Sequence, residues 1–205
     1  MVCDADVCAQ HGWGVVDFTA ACLDGGALLI QLRAKHASSR AFLADADALV
    51  ERAARFQARI IINDRADVAA LSGAAGVHVG QDDLAPADVR TAIGRSAIVG
   101  LSTHTPAQLE AAVLEPVDYV AIGPVFGTAT KDTGYDAVGL TMVREAVAVA
   151  ERTGHPVVAI GGISIERAAS VIEAGATSVA VITNLLVGGD PRARVRAFLD
   201  RLSCV

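Results

Sequence analysis

Short apolar runs alternate with amphipathic stretches along the whole chain. Seven of the apolar runs have the length and β-branched composition of buried strands: ALLIQLR, RIIIND, GVHVG, AIVGLS, DYVAIGPV, PVVAIGGI and TSVAVIT. The stretches between them, such as SSRAFLADADALVERAARFQ and SIERAASVIEAG, show helical spacing and suitable caps. This order predicts a repeated strand–helix unit built around a parallel sheet.

The number of strands decides which parallel fold the pattern can form. An eighth strand is needed to close a (β/α)₈ TIM barrel, and the candidate is the short stretch VCDAD near the N-terminus. The 4% aromatic content, the β-branched strands and a spacing of roughly 25 residues favour this barrel over an open doubly wound sheet, although alternation alone fits both. We therefore predict a single α/β TIM-barrel domain over residues 1–205 with a short first strand.

Charge and cysteine usage narrow the class of protein. The net charge of −6 leaves no surplus of cations to neutralise phosphate polymers, which argues against nucleic acid or an anionic membrane as a partner. The N-terminal stretch MVCDADVCAQHGWG resembles neither a secretory signal nor a transit peptide, and the four cysteines lack C-x-x-C spacing. We expect a cytoplasmic protein with reduced thiols, and the sequence leaves open whether it forms a homo-oligomer.

The run 27-ALLIQLRAK-35 changes character along one of its faces. Successive strand side chains point to opposite sides, so Gln31, Arg33 and Lys35 share a face with Leu29. That face is apolar where the strand begins and cationic where it ends. In a TIM barrel the functional face lies at the carboxyl ends of the strands, so this cationic end belongs to the expected site.

Other strand ends add hydroxyl groups, carboxylates and glycine-rich turns to the same face. They are Asn63 and Asp64, 76-GVHVGQDD-83, 100-GLSTHT-105, 122-IGPVFGTATK-131, 160-IGGI-163 and 182-ITN-184. Arg33, Lys35 and Lys131 can meet a diphosphate with charge-assisted hydrogen bonds. Two carboxylates from adjacent strand ends, Asp64 and Asp83, can hold Mg²⁺ together with water and phosphate oxygens.

A second anion site is expected at the last two strand ends. Gly161, Gly162 and the backbone after Ile182 resemble the phosphate site that the final loops of many TIM barrels form. The combination suits substrates that carry more than one phosphate group.

Six motifs occur in the order and approximate spacing found in thiamine-phosphate synthases: Q-x-R-x-K, N-D, V-H-x-G-Q-x-D, G-x-S-x-H-T, G-P-V-F-x-T-x-T-K and A-I-G-G-I. The resemblance extends from Gln31 to Thr183. It implies a transferase of thiamine biosynthesis that couples 4-amino-2-methyl-5-hydroxymethylpyrimidine diphosphate to a thiazole phosphate, giving thiamine phosphate and pyrophosphate. A threonine at position 183 stands where a serine is common in the family.

The resemblance also implies roles for individual residues. The pyrimidine diphosphate contacts are Gln31, Arg33, Lys35, Asn63, Ser102 and Lys131, of which Arg33, Lys35, Ser102 and Lys131 are the catalytic candidates. The thiazole phosphate contacts are Thr128, Thr130, Gly162, Ile182 and Thr183. The resemblance implies that Asp64 and Asp83 bind Mg²⁺.

Several of these residues have simpler structural explanations. Asp64 stands at a strand-to-helix junction, where Asp is a preferred helix cap. Asp82 could replace Asp83 as the ligand, although the family pattern favours Asp83. His78, inside a strand, is expected to be a core histidine with satisfied hydrogen bonds. The role of His104 is open between catalysis and the orientation of a loop.

Two other functions fit parts of the pattern. A thiazole tautomerase shares the barrel and the thiazole phosphate site but needs an acid or base near the thiazole, for which His104 is the candidate. It has no need of the diphosphate and metal residues. A non-catalytic protein that binds the thiazole phosphate would show binding without turnover.

Overall fold

The computed structural model describes residues 1–128 and 134–203. Within these ranges, eight parallel strands form one sheet in the order β1 to β8. The strands are β1 (Val2–Asp4), β2 (Leu29–Arg33), β3 (Arg59–Asn63), β4 (Gly76–Val79), β5 (Ile98–Thr103), β6 (Tyr119–Ile122), β7 (Val157–Ile160) and β8 (Ser178–Ala180). The backbone N–H of Val2 donates to the carbonyl of Val181 at 2.9 Å, which joins the first strand to the residue after the last one. The TIM barrel with a short first strand is therefore confirmed.

Helices alternate with the strands and cover the outside of the barrel. They are α1 (Ala5–Gln10), α2 (Val15–Asp24), α3 (Ser39–Ala54), α4 (Ala66–Ser72), α5 (Pro86–Ile93), α6 (Pro106–Ala112), α7 (Gly139–Glu151), α8 (Ile165–Glu173) and α9 (Pro191–Leu202), with a 3₁₀ turn at Thr183–Leu186. Side-chain caps begin several of them: Ser38 accepts from the N–H of Ala41, and Thr105 from that of Gln108, each at 3.2 Å. None of the helices in the described ranges has the length and apolar character needed to cross a membrane.

The first strand is shorter than the pattern predicts. Residues 5 and 6, which the stretch VCDAD places in the strand, begin helix α1 instead. The side chain of Asp4 accepts a hydrogen bond from the N–H of Val7 at 3.0 Å and so caps this helix. The cap turns the chain into a helix directly after Asp4.

The two faces of each strand have different surroundings. In β2, Ile30 and Leu32 are completely buried beneath the helices, as alternation requires. The opposite face points into the barrel, and its first residue, Leu29, is 45% exposed because a cavity of about 490 Å³ opens at the amino ends of the strands. We call this the base cavity; it reaches inward to Gln31, His78 and Tyr119.

Candidate active site

Arg33 ends β2 at the mouth of the barrel and is held there by an acidic partner. Its Nη1 donates to Oδ2 of Asp4, whose other carboxylate oxygen caps α1. Both side chains are mostly shielded, with relative exposures of 17% for Arg33 and 4% for Asp4. The parallel register places Asp4 directly beside Arg33 on the neighbouring strand. The guanidinium group is therefore fixed in position before any ligand arrives.

Lys35 lies beyond the end of β2 and contacts the carboxylate that follows β3. Its Nζ lies 2.5 Å from Oδ2 of Asp64. Asp64 has a φ of 63°, in the left-handed region that few residues other than glycine adopt. The explanation of Asp64 as a helix cap is wrong, because α4 begins with Arg65 at the capping position and has no side-chain cap. The carboxylate of Asp64 contacts Lys35 and Asp83 at the mouth of the barrel instead.

Asp64 and Asp83 form a carboxylate pair at the mouth. Burial raises the pKa of Asp64, the hydrogen bond and charge of Asp83 raise it further, and Lys35 acts in the opposite direction. Asp83 also accepts a hydrogen bond from the N–H of Gly80 at 2.8 Å, which fixes its orientation. Asp82 next to it is exposed. The two carboxylates predicted from adjacent strands thus lie in contact.

The donor set of this pair fits a hard divalent cation. Both side chains offer carboxylate oxygens, and two like charges in contact and partly buried are stabilised by a cation between them. No group of three or more histidine, cysteine or acidic side chains suited to a metal occurs within residues 1–128 and 134–203. The protein would therefore supply two ligands at this place, which leaves coordination positions for phosphate oxygens and water.

Ser102 lies on β5 and is bonded into the interior of the barrel. Its Oγ is 2.8 Å from Nε2 of His78, and Nδ1 of the same ring is 2.8 Å from the hydroxyl of Tyr119. His78 is thus a histidine with bonded ring nitrogens, as expected. Asn63 ends β3 in register with His78, and Gln31 lines the base cavity beside it.

A second cavity of about 340 Å³ opens at the mouth and is called here the mouth cavity. Its walls come from β5, the loop after β6, the turn after β7 and the 3₁₀ turn after β8. They include Ser102, His104, Thr128, Gly161, Gly162, Arg167, Ile182 and Thr183. Four of the five predicted thiazole phosphate contacts, namely Thr128, Gly162, Ile182 and Thr183, therefore lie around one cavity.

The turn after β7 requires glycine. Gly162 has a φ of 62°, and a Cβ added there would lie 2.6 Å from the carbonyl oxygen of Gly127. The close approach brings the loop after β6 against the start of α8. This contact closes one wall of the mouth cavity.

Arg167 adds a cation to the wall of the mouth cavity. Its Nη1 donates to the carbonyl of Gly162 at 3.1 Å, and its guanidinium carbon lies 4.7 Å from the centre of the Phe126 ring. Both contacts hold the guanidinium group near the first turn of α8. A phosphate in this cavity would meet this cation as well as backbone N–H groups.

Similarity to known proteins agrees with this geometry. A family model described as TMP-TENI, thiamine monophosphate synthase, matches residues 1–185. The chain belongs to this family. A thiamine-phosphate synthase of Koribacter versatilis is 49% identical over 178 residues, which cover 87% of this chain and 82% of the relative. One from Thermus thermophilus is 42% identical over 200 residues, with coverages of 96% and 94%.

A solved structure extends the agreement to the fold. A thiamine phosphate pyrophosphorylase from Pyrococcus furiosus superposes with a TM-score of 0.83 at 29% identity and covers 92% of this chain and 89% of that one. The predicted membership of the thiamine monophosphate synthase family is confirmed, and with it the prediction of an enzyme of thiamine biosynthesis.

Two residues of the family pattern fall outside the description. Thr130 and Lys131 lie between the described ranges 1–128 and 134–203, so their predicted contacts stay predictions.

His104, the histidine of the G-x-S-x-H-T motif, donates from Nδ1 to the carbonyl of Gly123 at 2.5 Å. Its ring stacks on that of Tyr135, with the centroids 4.2 Å apart. A carbonyl only accepts, so Nδ1 carries the proton.

The family pattern missed three residues that the structure brings to the site: Asp4, Tyr119 and Arg167. Asp4 lies in a strand of only three residues, whose pairing partner cannot be read from its own composition. Arg167 lies in an amphipathic helix, where a charged side chain ordinarily indicates a solvated face. The sequence could have indicated Arg167 by its position, because it lies in the first turn of the helix that follows A-I-G-G-I.

Proposed function

We propose that the chain couples 4-amino-2-methyl-5-hydroxymethylpyrimidine diphosphate to thiazole phosphate, giving thiamine phosphate and pyrophosphate. The observation that carries this proposal is the carboxylate pair of Asp64 and Asp83 beside Lys35. A cation-binding pair with a lysine fits a diphosphate leaving group. The separate mouth cavity offers a place for the second substrate.

The cationic side of the mouth binds the diphosphate. Arg33 is held by Asp4, and Lys35 is paired with Asp64 at the end of the neighbouring strand. Asp64 and Asp83 would hold Mg²⁺, which neutralises part of the charge that grows on the leaving group. Lys131 is proposed as a third cation on the family pattern. Together these groups stabilise the negative charge that develops as the bond to the diphosphate oxygen breaks.

The mouth cavity binds the phosphate arm of the thiazole. Thr128 and Thr183 offer hydroxyl groups, Gly162 and Ile182 lie on turns that line the cavity, and Arg167 supplies positive charge. Thr130 is proposed as a further contact on the family pattern. The arm fixes the orientation of the thiazole ring relative to the pyrimidine.

The reaction is a transfer of the pyrimidinylmethyl group. The bond between the methylene carbon and the diphosphate oxygen breaks, and the oxygen keeps the electron pair. The methylene carbon then forms a bond with the thiazole ring nitrogen, which brings its own lone pair and needs no protein base. Gln31, Asn63 and Ser102 orient the pyrimidine diphosphate while the cationic groups receive the negative charge.

A tautomerase would use the same barrel differently. It needs a general acid or base near the thiazole, and His104 borders the mouth cavity. Its Nδ1 donates to the carbonyl of Gly123, which anchors the loop after β6 and leaves Nε2 as the nitrogen that carries the lone pair of the ring. The carboxylate pair has no task in a proton shift. The carboxylate pair, and not His104, is therefore what favours the synthase reaction.

The test is an assay with both substrates. Purified protein is incubated with the pyrimidine diphosphate, the thiazole phosphate and Mg²⁺, and thiamine phosphate and pyrophosphate are measured separately. We expect both products in equal amounts, and we expect excess EDTA to stop their formation. Isomerisation of the thiazole without pyrophosphate release would contradict the proposal and favour the tautomerase.

A further inference from the structure

A chain of three side chains connects the interior of the barrel to the mouth cavity. The hydroxyl of Tyr119 lies 2.8 Å from Nδ1 of His78, and Nε2 of His78 lies 2.8 Å from Oγ of Ser102. Ser102 borders the mouth cavity, whereas Tyr119 and His78 border the base cavity. The three residues belong to the neighbouring strands β4, β5 and β6.

The proton of Tyr119 determines the direction of this chain. Burial raises the pKa of the Tyr119 hydroxyl, and the charge of Asp118 raises it further, so the hydroxyl keeps its proton. A buried hydroxyl places its proton on an acceptor, and Nδ1 of His78 is the partner that the described part of the chain provides. Tyr119 is therefore the donor of this pair.

The remaining protons follow from the chemistry of imidazole. A neutral ring that accepts at Nδ1 carries its hydrogen at Nε2, so His78 donates to Oγ of Ser102. The hydroxyl of Ser102 accepts this bond and keeps its own hydrogen for another acceptor. Ser102 lies where the wall of the mouth cavity meets the interior of the barrel, and under the proposed function the pyrimidine diphosphate supplies the acceptor for that hydrogen.

Glycine at position 100 makes room for the arrangement. The register pairs Gly100 with Tyr119, and a Cβ added to Gly100 would lie 2.0 Å from Cζ of the tyrosine ring. Any larger residue there would displace the ring from the interior of the barrel. The His78 and Tyr119 rings also stack, with centroids 5.5 Å apart and planes 19° apart. Packing thus fixes the positions of the two rings in addition to hydrogen bonding.

We propose that Tyr119 and His78 are positioning residues that fix Ser102 as a hydrogen-bond donor to an acceptor atom of the pyrimidine diphosphate. The inference rests on the proposed function, because that function supplies the ligand. Tyr119 acts only through His78 and Ser102. Its hydroxyl therefore has no effect on the reaction once the hydroxyl of Ser102 is absent.

A double-mutant cycle tests this dependence. The proteins are the wild type, Tyr119→Phe, Ser102→Ala and the double variant, assayed for pyrophosphate release and for the dissociation constant of the pyrimidine diphosphate with Mg²⁺. We expect Tyr119→Phe to lower kcat/KM about three- to tenfold, the range that one hydrogen bond contributes. In the Ser102→Ala background the same change should have no further effect.

Thr103→Val is the matched control. Thr103 follows Ser102 on β5. Its buried hydroxyl donates to the carbonyl of Ala121 at 2.9 Å and not to Tyr119, His78 or Ser102. Thr103→Val should lower the melting temperature and leave kcat/KM unchanged, both in the wild type and in the Ser102→Ala variant. Tyr119→Phe effects of equal size with and without Ser102 would overturn the proposal, as would no effect on rate or binding.

The two readouts separate this proposal from the function itself. A wild type that releases no pyrophosphate contradicts the proposed reaction. Non-additive changes of the dissociation constant would support the positioning of Ser102 even in that case, and additive changes would contradict it.

Discussion

At the scale of single residues, Asp4 stabilises the fold and the site at once. One carboxylate oxygen caps α1 and the other accepts from Arg33, and the side chain is almost completely buried. A buried carboxylate without these partners would be costly, so the pair and the cap depend on each other. The orientation of Arg33, which we propose binds the diphosphate, is therefore tied to the first strand of the barrel.

Asp4→Asn separates these two effects. Asparagine caps a helix about as well as aspartate, but it carries no charge to hold Arg33. We expect kcat to fall about tenfold or more, because the guanidinium group loses its fixed position, while the melting temperature falls by about 2–4 °C. Steady-state kinetics and a thermal melt measure both.

Asp190→Asn is the control for this change. Asp190 caps α9 in the same way, accepting from the N–H of Ala193 at 3.0 Å, and has no cation paired with it in the described structure. Its replacement should leave kcat at the wild-type value. Equal kinetic losses in the two variants, or full activity in Asp4→Asn, would remove Asp4 from the site.

At the scale of elements, the start of α8 combines three features that suit a phosphate. The glycine turn lies close to the loop after β6, the helix begins at Ile165, and Arg167 lies over Phe126 in the first turn. Helix N-termini attract anions, and a guanidinium group adds charge-assisted hydrogen bonds. The element should therefore recognise the phosphate group more than the thiazole ring.

Arg167→Ala tests this role. The loss of one cation should raise the KM for thiazole phosphate about tenfold or more and leave kcat nearly unchanged, because the contact is made equally before and during reaction. The KM for the pyrimidine diphosphate should not change. Arg167→Lys should recover part of the loss.

Arg144 on α7 provides the matched surface arginine. It is exposed, and Arg144→Ala should keep both KM values. The unphosphorylated thiazole alcohol is a second control, because its weaker turnover should not respond to Arg167→Ala. A change in kcat alone, or an equal effect with the alcohol, would contradict a phosphate contact.

The sequence predicted the elements better than the contacts between them. The β-branched runs identified the barrel strands because period and composition depend on neighbouring residues alone. Asp64 and Asp83 were predicted as a pair because adjacent parallel strands end at the same mouth. The contact of Lys35 with Asp64 depends on the left-handed backbone of Asp64, and that of Asp4 with Arg33 on the register of two strands. Local patterns do not contain either feature.

At the scale of the whole molecule, the barrel brings the two proposed anion-binding regions to one mouth. Asp64, Asp83, Arg33 and Lys35 come from the first half of the chain, and the mouth cavity comes mostly from the second half. Neighbouring sites on one rigid sheet hold two substrates in a fixed relative orientation, which is the main requirement of a coupling reaction. We propose that one region binds a metal diphosphate and the other a phosphate.

The comparison of Asp83→Ala with Asp82→Ala tests whether the first region binds a metal diphosphate. The two residues are adjacent, but only Asp83 pairs with Asp64, while Asp82 is exposed. The measurement is the rate of pyrophosphate release as a function of Mg²⁺ concentration, with thiazole isomerisation followed on the same preparations. We predict that Asp83→Ala lowers the rate at least about 100-fold, as the loss of a group that stabilises transition-state charge does, and that Asp82→Ala keeps the wild-type rate and Mg²⁺ dependence. A wild-type rate of pyrophosphate release by Asp83→Ala that EDTA does not lower would contradict a role of Asp64 and Asp83 in binding Mg²⁺ and diphosphate.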